Sequence, residues 1–467
     1  MDILSTSGIN NLINTYRYSE NSKKINPLLE RKSKFSNLSK TWNSLSSKLT
    51  ALKNLSSKLK EISTSNSFSA KKVELSTEEY FTAIANSSAS ISSYNISITQ
   101  LAKNDLVMSD TVSSEQLAGL SAGTYTFQVV SGDFDQTLQV EVAGTENLKE
   151  LMELIADAIN EASEGTISAS VFSPKSGESK LSVINSETGS SNSLIIKDVS
   201  GSALSTIGLS FETRTLLTDD NTGGYSYSLD ELNSKLQLNG VSIERESNTI
   251  DDLINGITLI LKNEMEVGIP TVNVTVKNNI EAVKSSLEDL IAKFNDAYSF
   301  VKSNYNSEKD GTRGVFVGNA SALGLLQSLS NIAYKEVVGI EDGNYSFLSE
   351  IGIEFNTTTG LSIKDSDLLE EALTNNLNQV ADLINSENGI ANKLYNLTDS
   401  YVGLSGVISN LTKSYDKSAS YLTDKISYME KQIDNNSNLL RKQYEQLQSQ
   451  LATLLSSQSY FSSMGGF

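Results

Sequence analysis

The 467-residue sequence contains no cysteine and no histidine, and it has only three prolines and one tryptophan. The absence of cysteine excludes disulfides, thiol nucleophiles and thiolate metal sites. The absence of histidine excludes the Ser-His-Asp triad, imidazole metal ligands and the usual proton shuttle near neutral pH. Carboxylate catalysis, Ser–Lys catalysis and calcium binding by oxygen ligands remain open. The alternative is a protein without catalytic chemistry.

Long apolar runs are also missing. No stretch approaches the roughly 18 consecutive apolar residues of a membrane span, so we predict no membrane partner. The N-terminal sequence MDILSTSGINNLINTY lacks the basic start and apolar run of a secretory signal peptide. We therefore expect a cytosolic protein, or one that leaves the cell by a route without a cleaved signal.

The net charge of −19 is spread unevenly along the chain. Residues 1–60 hold eleven Lys and Arg against three Asp and Glu, so this segment carries +8 and the remainder carries −27. A basic arm can bind nucleic acid. These lysines, however, alternate with a heptad seam, which is typical of a helix with solvated lysines beside an apolar stripe. We predict no nucleic-acid partner.

Both ends of the chain carry heptad repeats, which predict long helices. Near the start, Asn26-Pro27 has the pattern of a helix N-cap followed by a first-turn proline, after a short amphipathic helix and a polar interruption. Near the end, Asn436 falls on a core position, where a buried amide can fix register. The predicted self-assembly seam of these coiled-coil helices consists of Leu28, Phe35, Leu38, Trp42, Leu45, Leu49, Leu422, Ile426, Met429, Ile433, Asn436, Leu440, Leu447 and Leu451.

The middle of the chain is predicted to be β-rich. GTYTFQVVSGDFDQTLQVEVAG is a hairpin that turns at Gly132-Asp133, and TENLKELMELIADAIN follows it as a helix. SASVFSPKSGESKLSVIN is a second hairpin. IGIEFNTTTGLSIK is a third, and Asp365 or Ser366 can cap the helix after it. The fold class is therefore α+β and multidomain, with terminal coiled-coil helices pairing into a helical stalk and β-rich domains inserted between them.

Two segments could carry chemistry. Four carboxylates and one arginine lie between Glu244 and Asp252, as paired acid–base catalysts would require. The same segment also fits a frame of strand, short helix and returning strand, with Thr249 as the helix N-cap and Gly256 at its end. Residues 219–230 partly match a calcium loop, but a turn-rich linker accounts for them too. We predict no catalytic residue, no bound metal and no cofactor.

The sequence resembles the bacterial flagellar cap family, also called hook-associated protein 2. The central signature is Asn239–Leu259, with Asn-Gly, Arg-x-Ser-Asn-Thr-Ile and Gly-x-Thr-Leu. The other matching segments are IGIEFNTTTGLSIKDSDLLEEAL, the C-terminal YMEKQI and LRKQYEQL, and the N-terminal SGINNLI with Pro27-Leu28. Residues 124–200 also resemble the β insertion that flagellins and cap proteins share.

The resemblance implies a structural, non-enzymatic subunit at the tip of the extracellular flagellum, exported by the flagellar type III apparatus. Its expected partners are copies of itself in a ring of five to six subunits, flagellin with filament and hook-junction subunits, and a flagellar export chaperone. Host glycans or proteins are an alternative partner if the protein is an adhesin, and a flagellin-like or junction subunit is a further alternative. The expected divisions are legs 1–40 and 416–467, a helical domain of 41–75 with 275–415, an inner β domain of 76–112 with 220–274, and an outer β domain of 113–219.

Overall fold

The structure, a computed structural model, describes residues 5–61, 66–306 and 313–464. The chain forms two compact units, Met1–Phe68 with Ile280–Phe467 and Ser69–Asn279. The first is helical and the second is β-rich; they are called the helical unit and the β unit below. The predicted α+β class, with paired terminal helices around a β-rich middle, is confirmed. The finer division into five domains stays a prediction.

Most of the helices belong to the helical unit, and two helices, Leu148–Ser163 and Ala203–Thr206, lie in the β unit. In the described residues the helices are α1 (Thr6–Glu20), α2 (Asn26–Lys60), α3 (Leu148–Ser163), α4 (Ala203–Thr206), α5 (Ile280–Tyr305), α6 (Ala320–Tyr334), α7 (Ser366–Asn375), α8 (Leu377–Asn385), α9 (Ile390–Val402) and α10 (Val407–Met464). The heptad stripe of α2 packs into one core with α5, α6 and α9. At its centre the ring of Trp42 lies 4.6 Å from the ring of Phe316, measured between ring centres.

The start of α2 differs from the sequence prediction. Asn26 was expected to cap a new helix, but it has helical backbone angles (φ −55°, ψ −44°) and is not an N-cap. Residues Asn21–Ile25 form a π-helical turn that joins α1 to α2 without a break. Pro27 cannot donate to the carbonyl four residues earlier, and its ring crowds that carbonyl. A widened turn just before the proline accommodates both effects, so the helix continues.

The strands form antiparallel sheets. They are β1 (Lys71–Leu75), β2 (Phe81–Ala85), β3 (Ser93–Gln100), β4 (Asn104–Met108), β5 (Val112–Ser113), β6 (Gly123–Ser131), β7 (Phe134–Val142), β8 (Ile167–Phe172), β9 (Glu178–Thr188), β10 (Ile195–Ser200), β11 (Gly224–Tyr225), β12 (Ser234–Leu238), β13 (Val241–Arg245), β14 (Thr249–Ile254), β15 (Ile257–Leu261), β16 (Val272–Asn278), β17 (Ile353–Asn356) and β18 (Gly360–Ile363). The β17–β18 hairpin in the helical unit is confirmed, as is the cap at Asp365, whose carboxylate accepts from the Leu368 amide.

One apolar core of the β unit lies between two sheets with strand orders β1-β16-β3-β12-β13 and β14-β15-β2. The segment predicted as a short capped helix is strand β14 instead. Thr249 starts this strand, and Gly256 (φ +76°) sits in the turn to β15. Local capping signals suggested a helix, but pairing with β15 buries Ile250 and Ile254, and this tertiary gain outweighs local propensity.

A second apolar core of the β unit contains α3 and strands β4 to β11. The hairpins β6–β7 and β8–β9 confirm the predicted turns. Helix α3 is capped by Asn147, whose side chain accepts from the Glu150 amide while the Glu150 carboxylate accepts from the Asn147 amide. Such a reciprocal cap satisfies two otherwise unpaired amides and fixes the helix start.

Candidate assembly surface

Helix α1 and the π-helical turn after it, residues 6–25, pair with the part of α10 around residues 426–441; together these segments are called the leg pair. The Arg17 guanidinium is ion-paired with Asp434, and its Nε donates to the Ser437 hydroxyl at 3.2 Å. One heptad away, Arg441 donates to the Asn10 amide oxygen at 2.7 Å. As the numbers in α1 rise, those in α10 fall, so the two helices run antiparallel. Both polar pairs step by seven residues, which is the register of a coiled coil.

The apolar seam of the leg pair is small. A cluster of Ile25, Ile426 and Ile433 is buried, with Tyr16, Leu28 and Met429 partly buried around it. Ile9 and Ile13 bury their side chains further along α1. Isolated helices gain most of their stability from such packing, and little packing is present here. The leg pair is therefore expected to be far less stable than the core of the helical unit.

The predicted seam residues of α2 lie in the chain's own core. Trp42, Leu45 and Leu49 are fully buried, and Leu38 is nearly so. Phe35 stacks on Tyr415 of α10 with ring centres 6.1 Å apart. Since these side chains already contact the same chain, a role for them in contacts between copies stays a prediction.

The predicted seam residues of α10 fall into three groups. Leu422, Ile426 and Ile433 are buried, and Met429 and Leu440 are half-buried. Leu447 and Leu451 are exposed. Asn436 was expected on the core stripe, but it is exposed, and the neighbouring Ser437 is buried in its place. The seam advances by four residues from Ile433, so the heptad phase inferred for Asn436 was wrong by one position.

The Ser437 hydroxyl takes the seam position expected for the Asn436 amide, and both of its hydrogen bonds lie within the leg pair. It donates to the Ile433 carbonyl of its own helix and accepts from Arg17. The sequence analysis missed Arg17 as a register-setting residue. A signal for it existed, because Asn10 and Arg17 have the same seven-residue spacing as Asp434 and Arg441.

Three of the four carboxylates of the central signature have structural partners. Arg245 Nε lies 3.0 Å from each carboxylate oxygen of Asp252, and this hydrogen-bonded pairing lowers the pKa of Asp252. Glu244 accepts from the Asn233 amide at 2.8 Å, and Glu246 accepts from the Ser191 hydroxyl. These contacts tie strands and loops together, so the segment forms part of the frame of the β unit.

The segment that partly matches a calcium loop is bound by a lysine from strand β9. The Lys180 ammonium donates to the carbonyls of Asp220 at 2.8 Å and Thr222 at 3.3 Å, and burial lowers the pKa of Lys180. The Asp219 carboxylate accepts from two amides of its own turn, and Asp230 pairs with Lys235. In the part of the chain that the structure describes, no group of three or more carboxylates could hold a metal ion.

These features define a class of protein: an assembly subunit whose terminal helices pair around a β-rich insertion. None of the helices in the described ranges is long and apolar enough to cross a membrane. The family models of flagellar hook-associated protein 2 match residues 5–105 with the N-terminal part and residues 232–455 with the C-terminal part. The chain belongs to the flagellar hook-associated protein 2 family, the flagellar cap proteins.

Individual relatives agree with the family models. The chain is 26% identical over 359 residues to flagellar hook-associated protein 2 of Salmonella typhimurium, covering 74% of this chain and 72% of the relative. It is 23% identical over 337 residues to the B-type protein of Pseudomonas aeruginosa, covering 70% and 68%. The crystal structure of domains D1 to D3 of the Escherichia coli flagellar cap protein FliD aligns with a TM-score of 0.62 at 23% identity, covering 80% of this chain and 99% of that one. This last likeness supports the fold.

Proposed function

We propose that the chain is a structural subunit of the cap at the tip of a bacterial flagellar filament. Copies of it form a ring of five or six subunits, retain exported flagellin at the tip and direct it into the growing filament. The observation that carries this proposal is the leg pair, a weakly packed antiparallel pair of helices. Its two helices come from the two terminal segments that match the cap family models.

The mechanism relies on weak helix contacts and uses no catalysis. Only a few side chains hold α1 against α10, so these two helices can separate and pair again at a low cost in free energy. Each incoming flagellin then changes contacts with one leg while the other copies keep the ring attached. Three of the carboxylates that could have suggested an enzyme, those of Glu244, Glu246 and Asp252, link strands and loops within the β unit.

The partners follow from this role. We propose flagellin, filament and hook-junction subunits, and a flagellar export chaperone as binding partners, with export through the flagellar type III apparatus. The protein then acts outside the cell, at the filament tip. Neither nucleic acid nor a membrane takes part.

The test is complementation in a strain that lacks its own cap protein but keeps its flagellin. Cells without a cap should secrete unpolymerised flagellin, and cells with this chain should carry filaments. A flagellin or a junction subunit would not restore retention, so loss of flagellin to the medium despite stable expression of the chain would contradict the proposal.

A variant with Glu244→Gln and Asp251→Asn separates assembly from catalysis. Both substitutions remove a carboxylate charge and keep the side-chain size. Filament growth should be unchanged, because neither carboxylate has a chemical role in the proposed mechanism. Loss of filaments with a folded variant would instead support a carboxylate-dependent activity.

A further inference from the structure

A cavity of about 520 Å³ lies in the β unit, between a loop and the outer face of one sheet. Strands β4 and β9 turn Val107 and Leu181 into the second apolar core, and the alternate residues of both strands face away from that core. Lys180 of β9 is one of these outward residues, and Phe172 of β8 lies directly opposite it. The segment 217–222 folds over Lys180 and forms one wall of the cavity.

Lys180 is a buried cation without a counter-ion. Its side chain leaves the outer face of the sheet, yet the residue is only 4% exposed because the loop covers it. Its ammonium donates to the carbonyls of Asp220 at 2.8 Å and Thr222 at 3.3 Å, so one of its three N–H donors has no acceptor in the described residues. Burial lowers the pKa of Lys180, because the nearby carboxylates act on it only from a distance. The cavity therefore favours an anionic group beside this ammonium.

Glu178 presents the opposite charge on the same side of the strand. It lies two residues before Lys180 on β9, so both side chains leave the same face, and both line the cavity. One carboxylate oxygen of Glu178, Oε2, is buried and accepts no hydrogen bond from the described residues. Such an oxygen needs a donor, and a cationic donor forms the strongest hydrogen bond with it. The cavity thus also favours a cationic group, beside Glu178.

The remaining lining supplies an apolar wall. Met108, Phe172 and Leu217 line the cavity, and Phe172 is 42% exposed. The volume lies within the range of about 300–1,000 Å³ that is typical of small-molecule sites. Residues 104–225 carry eighteen Asp and Glu against five Lys and Arg, and two of those five, Lys175 and Lys180, line this one cavity. An anionic group is therefore attracted here, although the surrounding region would repel it.

We propose that this cavity binds a free α-amino acid with an apolar side chain. The carboxylate of the ligand accepts from the Lys180 ammonium, its ammonium donates to the Glu178 carboxylate, and its side chain lies against Phe172 and Leu217. The two charges of the ligand then supply the partners that the two buried groups lack. This inference concerns a small ligand of the β unit and does not depend on the proposed cap function.

Other small molecules match only part of this lining. An anion such as inorganic phosphate would pair with Lys180 but would bring a negative charge beside Glu178. An amine without a carboxylate would pair with Glu178 and leave Lys180 without a counter-ion. Water or a sugar hydroxyl can accept from Lys180 and donate to Glu178, but neither neutralises the two buried charges. A zwitterion with an apolar side chain matches both charges and the aromatic wall.

The first test varies the ligand and keeps the full chain unchanged. Titration calorimetry with L-leucine should give a dissociation constant of about 1 mM or lower, as expected for a small ligand with two charged contacts. N-acetyl-L-leucine lacks the ammonium charge and L-leucinamide lacks the carboxylate, so each should bind at least about 10-fold more weakly. Glycine keeps both charges but lacks the side chain, and it should also bind more weakly than L-leucine.

The second test varies the protein. Glu178→Gln keeps the side-chain size and removes the charge, so it should weaken L-leucine binding at least about 10-fold. Glu187→Gln is the matched control, because Glu187 is an exposed residue of the same strand that does not line the cavity. This control should bind L-leucine as the unchanged chain does. Phe172→Ala should weaken the binding of L-leucine more than that of glycine. Circular dichroism checks that each variant is folded.

A third measurement locates the ligand without any substitution. Hydrogen exchange of peptides that cover residues 217–222 should slow when L-leucine is added, because the bound ligand holds this loop against β9. Peptides from helix α5 in the helical unit serve as the internal control and should not change. Exchange at 217–222 that L-leucine leaves unchanged would place any bound ligand outside this cavity and overturn the inference.

The binding experiments can overturn the inference in three further ways. No L-leucine binding at about 10 mM, ten times the expected limit, would leave the cavity to water. Equal binding of L-leucine and its two singly charged derivatives would exclude recognition of both charges. L-leucine binding that Glu178→Gln leaves unchanged would exclude the site. Complementation in a strain without a cap protein reports on the cap function alone, so the two proposals fail separately.

Discussion

Arg17 in α1 is ion-paired with Asp434, which lies 417 residues later in the chain. The contact joins the two ends of the sequence and sets the antiparallel register of the leg pair. Both side chains are substantially exposed, so the pair itself contributes little free energy. Its importance is that few other contacts hold this part of the protein.

Reversal of this pair should loosen the leg. Arg17→Glu places a like charge beside Asp434, and we expect limited proteolysis within residues 6–20 to become about 1.5- to 5-fold faster, as the loss of one exposed ion pair implies. Combining it with Asp434→Arg restores an opposite-charge pair and should return the rate toward that of the unchanged chain. Equal cleavage of all three proteins would show that the contact has no effect on the leg.

Limited proteolysis should also distinguish the stability of the leg pair from that of the rest of the helical unit. In dilute protein, cleavage is expected within residues 6–40 and 420–464 before cleavage within α5 or α9, whose side chains share the large core. The cleavage sites are read by mass spectrometry of early products. Ends that resist protease as well as α5 does would contradict a marginal leg pair.

The single tryptophan reports on the core of the helical unit. Trp42 is fully buried, and its Nε1 finds no hydrogen-bond acceptor in the described part of the chain. Trp42→Ala should lower the free energy of unfolding by about 3–5 kcal/mol because it leaves a cavity beside Phe316. Trp42→Phe should cost less, about 1–2 kcal/mol, because it also removes the unpaired donor. Urea unfolding followed by circular dichroism measures both values.

The same side chain tests where copies touch. Because Trp42 is already buried within one chain, its emission maximum should not change when the protein assembles. Dilution through the assembly transition, followed by fluorescence and sedimentation together, checks this. A shift of the emission that tracks assembly would place Trp42 in a contact between copies.

Terminal heptads, hairpins and the cap at Asp365 could be predicted from the sequence because each depends on residues close together in the chain. The acidic segment at Thr249–Ile254 could not, since a bulge between Ile250 and Ile254 hides the alternation of a strand. The burial of Ser437 on the seam could not be predicted without knowing that α1 packs against α10. The Arg17–Asp434 contact likewise depends on a pairing between distant segments, although the heptad spacing of the polar residues was visible.

A buried ion pair stabilises one core of the β unit. Asp105 is fully buried and accepts from both terminal nitrogens of Arg214, with Nη1 at 2.9 Å, and from the Leu194 amide at 2.7 Å. Asp105→Ala leaves the guanidinium without its partner and should destabilise this core by about 3–5 kcal/mol. Hydrogen exchange of peptides covering β4 and β10 measures the loss.

The matched control is Lys149→Ala, on the exposed side of helix α3, which packs on the same core. Lys149 forms an exposed pair with Glu153 on α3 at 3.4 Å, and such a pair contributes at most about 0.5 kcal/mol. Similar exchange in both variants would mean that the buried pair has no special role.

Alanine substitutions at two turn glycines can distinguish the cost of backbone strain from the cost of steric crowding. Gly240 (φ +83°) has open space where a Cβ would lie, whereas a Cβ on Gly256 (φ +76°) would lie 2.5 Å from the Ala89 nitrogen. Gly240→Ala should therefore cost about 1–2 kcal/mol from strain alone. Gly256→Ala should cost about 1–3 kcal/mol more, because the loop around Ala89 must move. Urea denaturation of the β unit compares them, and equal costs would argue against the tight turn.

Acid should weaken the β unit through carboxylates whose pKa is lowered. Two of them pair with a cation: Glu74 with Lys277, and Asp252 with Arg245. Three accept hydrogen bonds mainly from backbone amides: Glu146 from Ala143, Asp219 from Asn221, and Glu231 from Ser228. Each folded pKa lies below the ordinary value of 3.8 for Asp or 4.5 for Glu. Near those values the unfolded chain therefore binds more protons than the folded one.

The direction of the pH effect follows from this difference. Stability from these groups is fully present above their ordinary pKa values and is lost as the pH falls through the lowered folded values. Hydrogen exchange within residues 69–279, corrected for intrinsic rates, should be unchanged from about pH 7 to pH 5 and accelerate below about pH 4. Glu146→Gln removes one of these carboxylates, so the acid-induced acceleration at the start of α3 should be smaller than in the unchanged chain. Exchange at that helix start that responds to acid equally in both proteins would contradict the assignment to Glu146.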